Sequence, residues 1–162
     1  MAITRLGAED VLDAINDMLE SQLNTYIVEQ NTERADSITL VQIPSGGFFF
    51  QELPPDLNIN PWVLTAIGTP IEVKARGPAI AKTFTVSVYL GTSGAINNKM
   101  EDIQRMFMRY TDAICRCVTK NFSILSGFSL TEITQVPQAA EIETQSGEVI
   151  RVAGVQMTAV IA

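Results

Sequence analysis

The carboxylates near the start of the chain are the first residues whose spacing could do chemistry. Asp10, Asp13, Asp17 and Glu20 recur at three- and four-residue steps, so a helix would gather them on one face. Such a face could hold a divalent cation or supply paired carboxylates for acid–base work, but both need a pocket and further ligands, usually His or more Asp. The chain has no histidine. A solvated or subunit-facing acidic face is the expectation, with Glu9 and Asp10 where the helix dipole favours anions. The two cysteines, Cys115 and Cys117, diverge by about 200° on a helix, too far to bridge each other or chelate one metal. Without His, neither a Ser-His-Asp nor a Cys-His arrangement can form within one chain. GTSG at Gly91 to Gly94 lacks the spacing and the Lys of a phosphate loop, and no G-x-S-x-G, Walker A or G-x-G-x-x-G pattern occurs. Asn121-Phe122-Ser123 matches a glycosylation triplet, which means nothing without secretion. A basic stripe, Arg105, Arg109, Arg116 and Lys120, remains, but a net charge of −7 argues against a nucleic-acid surface. The sequence therefore predicts no enzyme, no cofactor and no metal.

The elements that would position these groups follow from periodicity. Leu12, Ile15, Leu19, Leu23 and Tyr26 form one apolar stripe, which predicts a first helix from about Ala8 to Glu29. Met100, Ile103, Phe107, Tyr110, Ile114 and Cys117 do the same for a second, with the basic stripe opposite. Glu101–Arg105 and Asp112–Arg116 have the supporting four-residue spacing, and Asn98 with Glu101 resembles a capping box. Ser37 to Ile43 and Phe48 to Glu52 flank PSGG and read as a hairpin. Pro54, Pro55 and Pro61 forbid a strand or helix interior, so about 53–62 is an extended connection carrying Leu57, Ile59 and Trp62. Trp62 to Lys74 and Ala81 to Leu90 are expected strands around a Gly77-Pro78 turn. Ser123 to Gln135, Glu141 to Gln145 and Glu148 to Ile161 close the chain, with a bulge at Gly154. The order predicts a single α+β domain over 1–162: a mainly antiparallel sheet with two principal helices packed on one face.

Composition adds a second theme. Charged residues make up 18 % of the 162, against 46 % hydrophobic, where an average globular protein has about 25 % charged. Uncharged runs cover Ser37 to Gln51, Leu57 to Ile71, Thr83 to Asn98 and Asn121 to Thr131. In TFTVSVYL, Phe84, Val86, Val88 and Leu90 alternate with Thr83, Thr85, Ser87 and Tyr89, giving a strand with one oily face and one uncharged hydroxyl face. Blocks of uncharged surface suggest protein–protein contact, because charge is depleted at interface centres. No apolar run reaches the roughly 18 residues of a membrane span, and MAITRLGAED has no apolar core of a signal peptide. An intracellular, soluble chain is expected.

This element order, from the N-terminal helix through the proline-containing connection and strands such as PIEV and TFTVSVYL to a late helix and closing strands, resembles the tail terminator and tail-completion proteins of tailed bacteriophages. The resemblance covers nearly the whole chain. It implies a structural virion protein of the tail or neck, assembled in the host cytoplasm, whose subunits form a homo-oligomeric ring, commonly a hexamer. That ring would cap the tail tube and join it to the head–neck complex, with tube and connector proteins as partners and DNA only passing through the lumen. Other neck or tail-tube proteins share similar designs, and a small intracellular adaptor domain is the alternative from another class.

Two sets of interface residues follow. Phe48, Phe49 and Phe50 with Leu57, Ile59 and Trp62 are expected to form an apolar arm against a neighbour. Asp13, Asp17 and Glu20 are expected to face Arg105, Arg109 and Arg116 of an adjacent subunit, so that ring formation weakens with added salt.

Overall fold

A computed structural model of the chain describes residues 6–68, 70–93, 100–122, 127–143, 147 and 149–161. The first helix, α1, spans Ala8–Arg34. At its start the Gly7 N–H donates to the Asp10 carboxylate at 2.6 Å, which satisfies one of the free donors there. The helix runs past the expected Glu29 because Gln30 continues the inward stripe of Leu23, Tyr26 and Ile27 and is itself buried. It stops at Ala35, which turns left-handed (φ 44°) with its N–H on the Asn31 carbonyl.

Residues 37–43 are not a strand, and the expected hairpin around PSGG does not form. Asn31 pairs through both its amide N–H and its carbonyl with the backbone of Leu40, and Asn24 does the same with Ile43. Between them the Tyr110 hydroxyl accepts from the Val41 N–H and donates to its carbonyl. Asn24 and Asn31 lie two turns apart on one face of α1, so helix side chains substitute for a partner strand. This buries Leu40 and Ile43 against the core.

Among the described residues, six strands make one sheet. β1 (Phe48–Phe50) pairs parallel with β2 (Trp62–Ile67) rather than with the segment before it. The predicted strand Trp62 to Lys74 is two: Pro70, which offers no N–H, separates β2 from β3 (Glu72–Arg76). Both pair antiparallel with β4 (Ala79–Ser93), β2 along residues 86–91 and β3 along 79–83. After the second helix, α2 (Met100–Asn121), come β5 (Ser129–Glu143) and β6 (Val149–Ile161), and the order across the sheet is β1-β2-β4-β6-β5. β5 is one long strand where two were expected, and its pairing with β6 shifts register at Leu130/Glu132 and at Val136/Ala140. Those bulges lie in β5. Gly154 itself sits in unbroken register with β4, and a Cβ there would stand 2.9 Å from the Val88 carbonyl oxygen, so close approach, not a bulge, explains the glycine. The expected Asn98 cap lies outside the described residues.

Both helices pack on one face of the sheet and share one core. Leu12, Ile15, Leu19 and Leu23 of α1 meet Phe107, Ile114 and Cys117 of α2 over Phe84, Val86, Val88 and Leu90 of β4 and Val155, Met157 and Ala159 of β6. The α+β architecture with a mainly antiparallel sheet is as the sequence predicts. Met100, expected in the stripe, is exposed at the helix start.

Candidate functional site

The predicted basic stripe does not face outward as a unit. Arg109 is 7 % exposed. Its guanidinium grips both carboxylate oxygens of Asp36, at 2.8 and 2.5 Å, and donates to the Ile38 carbonyl. That bond, helped by the Ile38 N–H, holds the Asp36 carboxyl well below the usual carboxylate range and raises Arg109 further. Arg116 donates to both oxygens of Glu33 at 2.9 Å and pairs with Asp112 one turn back, also at 2.9 Å. Lys120 approaches Glu29 and lies over the Tyr26 ring, while Gln30 hydrogen-bonds Asp112. Arg105 pairs with Glu101 within its own helix. The acids that meet this stripe are therefore Glu29, Glu33 and Asp36 of the same chain, because the C-terminal part of α1 runs antiparallel beside α2. Asp13, Asp17 and Glu20 stay exposed with no ion pair among the described residues, and of the three arginines expected to meet them only Arg105 keeps an exposed side chain.

The expected arm is also folded onto its own subunit. Phe48 and Phe50 pack against the core on the helix side, while Phe49 alternates to the other face. Leu57 and Ile59 are half-buried, and Ile59 packs beside Gly46 and Gly47. Trp62 begins β2 opposite Gly91, is only 2 % exposed, and occupies the space that a Gly91 Cβ would need. It is buried within its own subunit, on the sheet face away from the helices, and a lone tryptophan after prolines carries no signal that distinguishes this from a surface anchor.

What the structure leaves open is the sheet face away from the helices. By register, Trp62, Leu64 and Ala66 of β2, Thr83 to Gly91 at alternate positions of β4, and Ile150, Val152, Gly154, Gln156, Thr158 and Val160 of β6 share it. None of these carries a charge. Ser87 is buried, its Oγ crowded by Gly68, and Thr83, Thr85 and Tyr89 are half-buried. At one end the face hollows into a cavity of about 240 Å3 lined by Tyr89, Val136, Ala140, Ile142 and Val152. Val136 and Ile142 belong to β5, an edge strand 15 residues long. A shallower hollow of about 510 Å3 lies beside α1 between Asn24, Val28, Glu33 and Gln42.

Burial pushes the Cys117 thiol up to about 12 and raises Cys115 as well, and no three acidic or thiol side chains converge among the described residues. Neither described helix is long and apolar enough to cross a membrane.

No protein-family model matches the chain. No curated protein matches it. Among solved structures it is similar to a chain from the virion of a native gene transfer agent particle, at 13 % sequence identity and a TM-score of 0.33, over 89 % of this chain and 98 % of that one. Identity and superposition at this level are too low to assign a family.

Proposed function

We propose that this chain is a structural subunit of a phage-like particle, and within that class a tail terminator or tail-completion protein. Its subunits form a ring, of six in the commonest form, that caps the tail tube and meets the neck proteins, while DNA passes through without being held. The reading rests on the resemblance in element order and is carried by one observation: the uncharged sheet face. A sheet covered by helices on one side and turned to water on the other alternates apolar with polar residues, and charged side chains are common among the latter. Here three adjacent strands present hydroxyl, aliphatic and glycine positions without a charge, the composition of a surface that meets protein. The acidic total suits a lumen that DNA traverses, since tight binding would need a basic lining. No chemistry of its own belongs to this role.

Deleting the chain from a strain that makes the particle tests it. Filled heads and tubes that fail to join, seen by negative-stain electron microscopy and restored by supplying the chain, are the expected result. Intact particles made without it would overturn the reading.

A further inference from the structure

The β3–β4 hairpin reaches beyond the body of the sheet. β6 pairs with β4 only from Ser93 down to Lys82, so residues 79–81 and most of β3 have no strand on the far side. Every described side chain from Ile71 to Ile80 is exposed. A two-stranded hairpin without a packed face is marginal in water, yet this one carries Ile71, Val73 (57 % exposed) and Ile80 (50 %). The register sets Val73 and Ala75 opposite Lys82 and Ile80, so these apolar residues share one face of the hairpin. Lys82 lies on that same apolar face, while Lys74 pairs with Glu72 on the other.

The opposite edge of the sheet is its complement. Of the β5 carboxylates, Glu141 pairs with Arg151 and lies with Glu143 on the helix side, while Glu132 shares the face of the hollow. β5 has a free edge, and its Ile142 (53 % exposed) and Val136 border the 240 Å3 cavity. The two features sit at opposite edges of one sheet and cannot meet within a chain.

We infer that the hairpin of one copy docks in the β5–β6 hollow of the next, with Val73 and Ile80 seated against Tyr89, Val136, Ile142 and Val152 and Lys82, on the same hairpin face, directed toward Glu132. Because the two surfaces differ, the contact is head-to-tail, and it closes into a ring when its rotation divides a full turn. The inference rests on the ring reading and supplies its contact.

The test uses the full chain in sedimentation analysis. Wild type self-associates with a Kd of about 1 mM or tighter. Val73→Glu and Ile142→Glu alter exposed side chains, so each melts like wild type, and each alone associates at least about tenfold more weakly. Mixed one to one, they form heterodimers and nothing larger, since one intact hairpin meets one intact hollow while the junction altered on both sides stays open. Should either melt early, Ile80→Glu and Val136→Glu replace them. Wild type that stays monomeric, a variant that assembles like wild type, or a mixture that stays monomeric would each overturn the contact. Rings unaffected by the variants would refute this contact and leave the ring reading standing; the deletion experiment refutes that reading by itself.

Discussion

Trp62 and Gly91 give the sharpest test of what this tryptophan does. The two are directly paired across β2 and β4, and a methyl group on Gly91 would overlap the indole. Burying an indole removes about 200 Å2 from water, which at about 25 cal/mol per Å2 stabilises by about 5 kcal/mol. Against this, the ring N–H has no partner among the described residues, which costs about 1–3 kcal/mol. Trp62→Ala should therefore destabilise by about 3 kcal/mol and lower Tm by about 6–12 °C. Gly91→Ala should cost about 1–3 kcal/mol by overpacking, because the indole has to move. In the double variant the methyl enters space the ring has left, so its stability should match Trp62→Ala alone, with a coupling of about 1–3 kcal/mol. Urea unfolding of the four chains followed by circular dichroism measures this. Additive losses would refute the contact. A Trp62→Ala chain of unchanged stability that assembles poorly would return the residue to the surface role its sequence suggests.

The Asp36 pair predicts acid sensitivity of a defined sign. Its carboxyl is held low in the folded chain, so its contribution is complete above the ordinary aspartate value of about 3.9 and is lost as pH falls from there through the folded value. The stability gap between wild type and Asp36→Asn should be constant from neutral pH to about pH 5 and narrow below about pH 4, and a gap unchanged at about pH 3 in urea titrations would contradict it. The Thr65 hydroxyl is buried without a partner among the described residues, so Thr65→Val should raise stability by about 1 kcal/mol in the same assay; a loss would mean that the hydroxyl is bonded. Cys117 should react with a thiol reagent at about pH 8 only as fast as the chain unfolds, because its thiol is buried and pushed up to about 12; rapid labelling of the native chain would place it elsewhere. Self-association should strengthen when salt is raised from very low to physiological levels, read by sedimentation, and steady weakening over that range would contradict the charge argument below.

The helices and the central strands were legible because each carries its full signal locally. Leu12 to Tyr26 and Ile103 to Cys117 repeat at helical spacing, and Phe84 to Leu90 alternates, with burial following both patterns. What failed depended on partners far along the chain. Residues 37–43 have an extended composition, but Asn24, Asn31 and Tyr110 supply their hydrogen bonds, and no local pattern announces that. Parallel pairing of β1 with β2 was hidden for the same reason, since the prolines between them read only as an interruption. Arg109 steps in phase with Arg105 and Arg116, so spacing alone assigns it to a wet face; the loop bearing Asp36 and Ile38 folds over it. For the proposed assembly surface, the uncharged alternation of β4 was readable. The overhanging hairpin was not, because its exposure depends on where β6 stops.

The placement of charge also reverses the expected effect of salt. Lys74, Arg105, Arg109, Arg116, Lys120 and Arg151 all pair with acids of their own subunit. That is six of the eleven cations, and it leaves an outer surface where Asp13, Asp17, Glu20, Glu132 and Glu143 are in excess. Two copies of charge −7 with centres about 40 Å apart would repel by about 5 kcal/mol in water without salt. At physiological ionic strength the Debye length is about 8 Å, so repulsion across that distance is largely screened while charges in contact at an interface are screened far less. Salt in the lower range therefore removes more repulsion than attraction. Had the helix cations been free to meet the acids of a neighbour, attraction would have dominated and salt would have opposed assembly from the start. With those cations committed internally, the proposed association has to rest on apolar contact and on local exceptions to the acidic surface, and Lys82 of the hairpin set against Glu132 of the edge strand is such an exception.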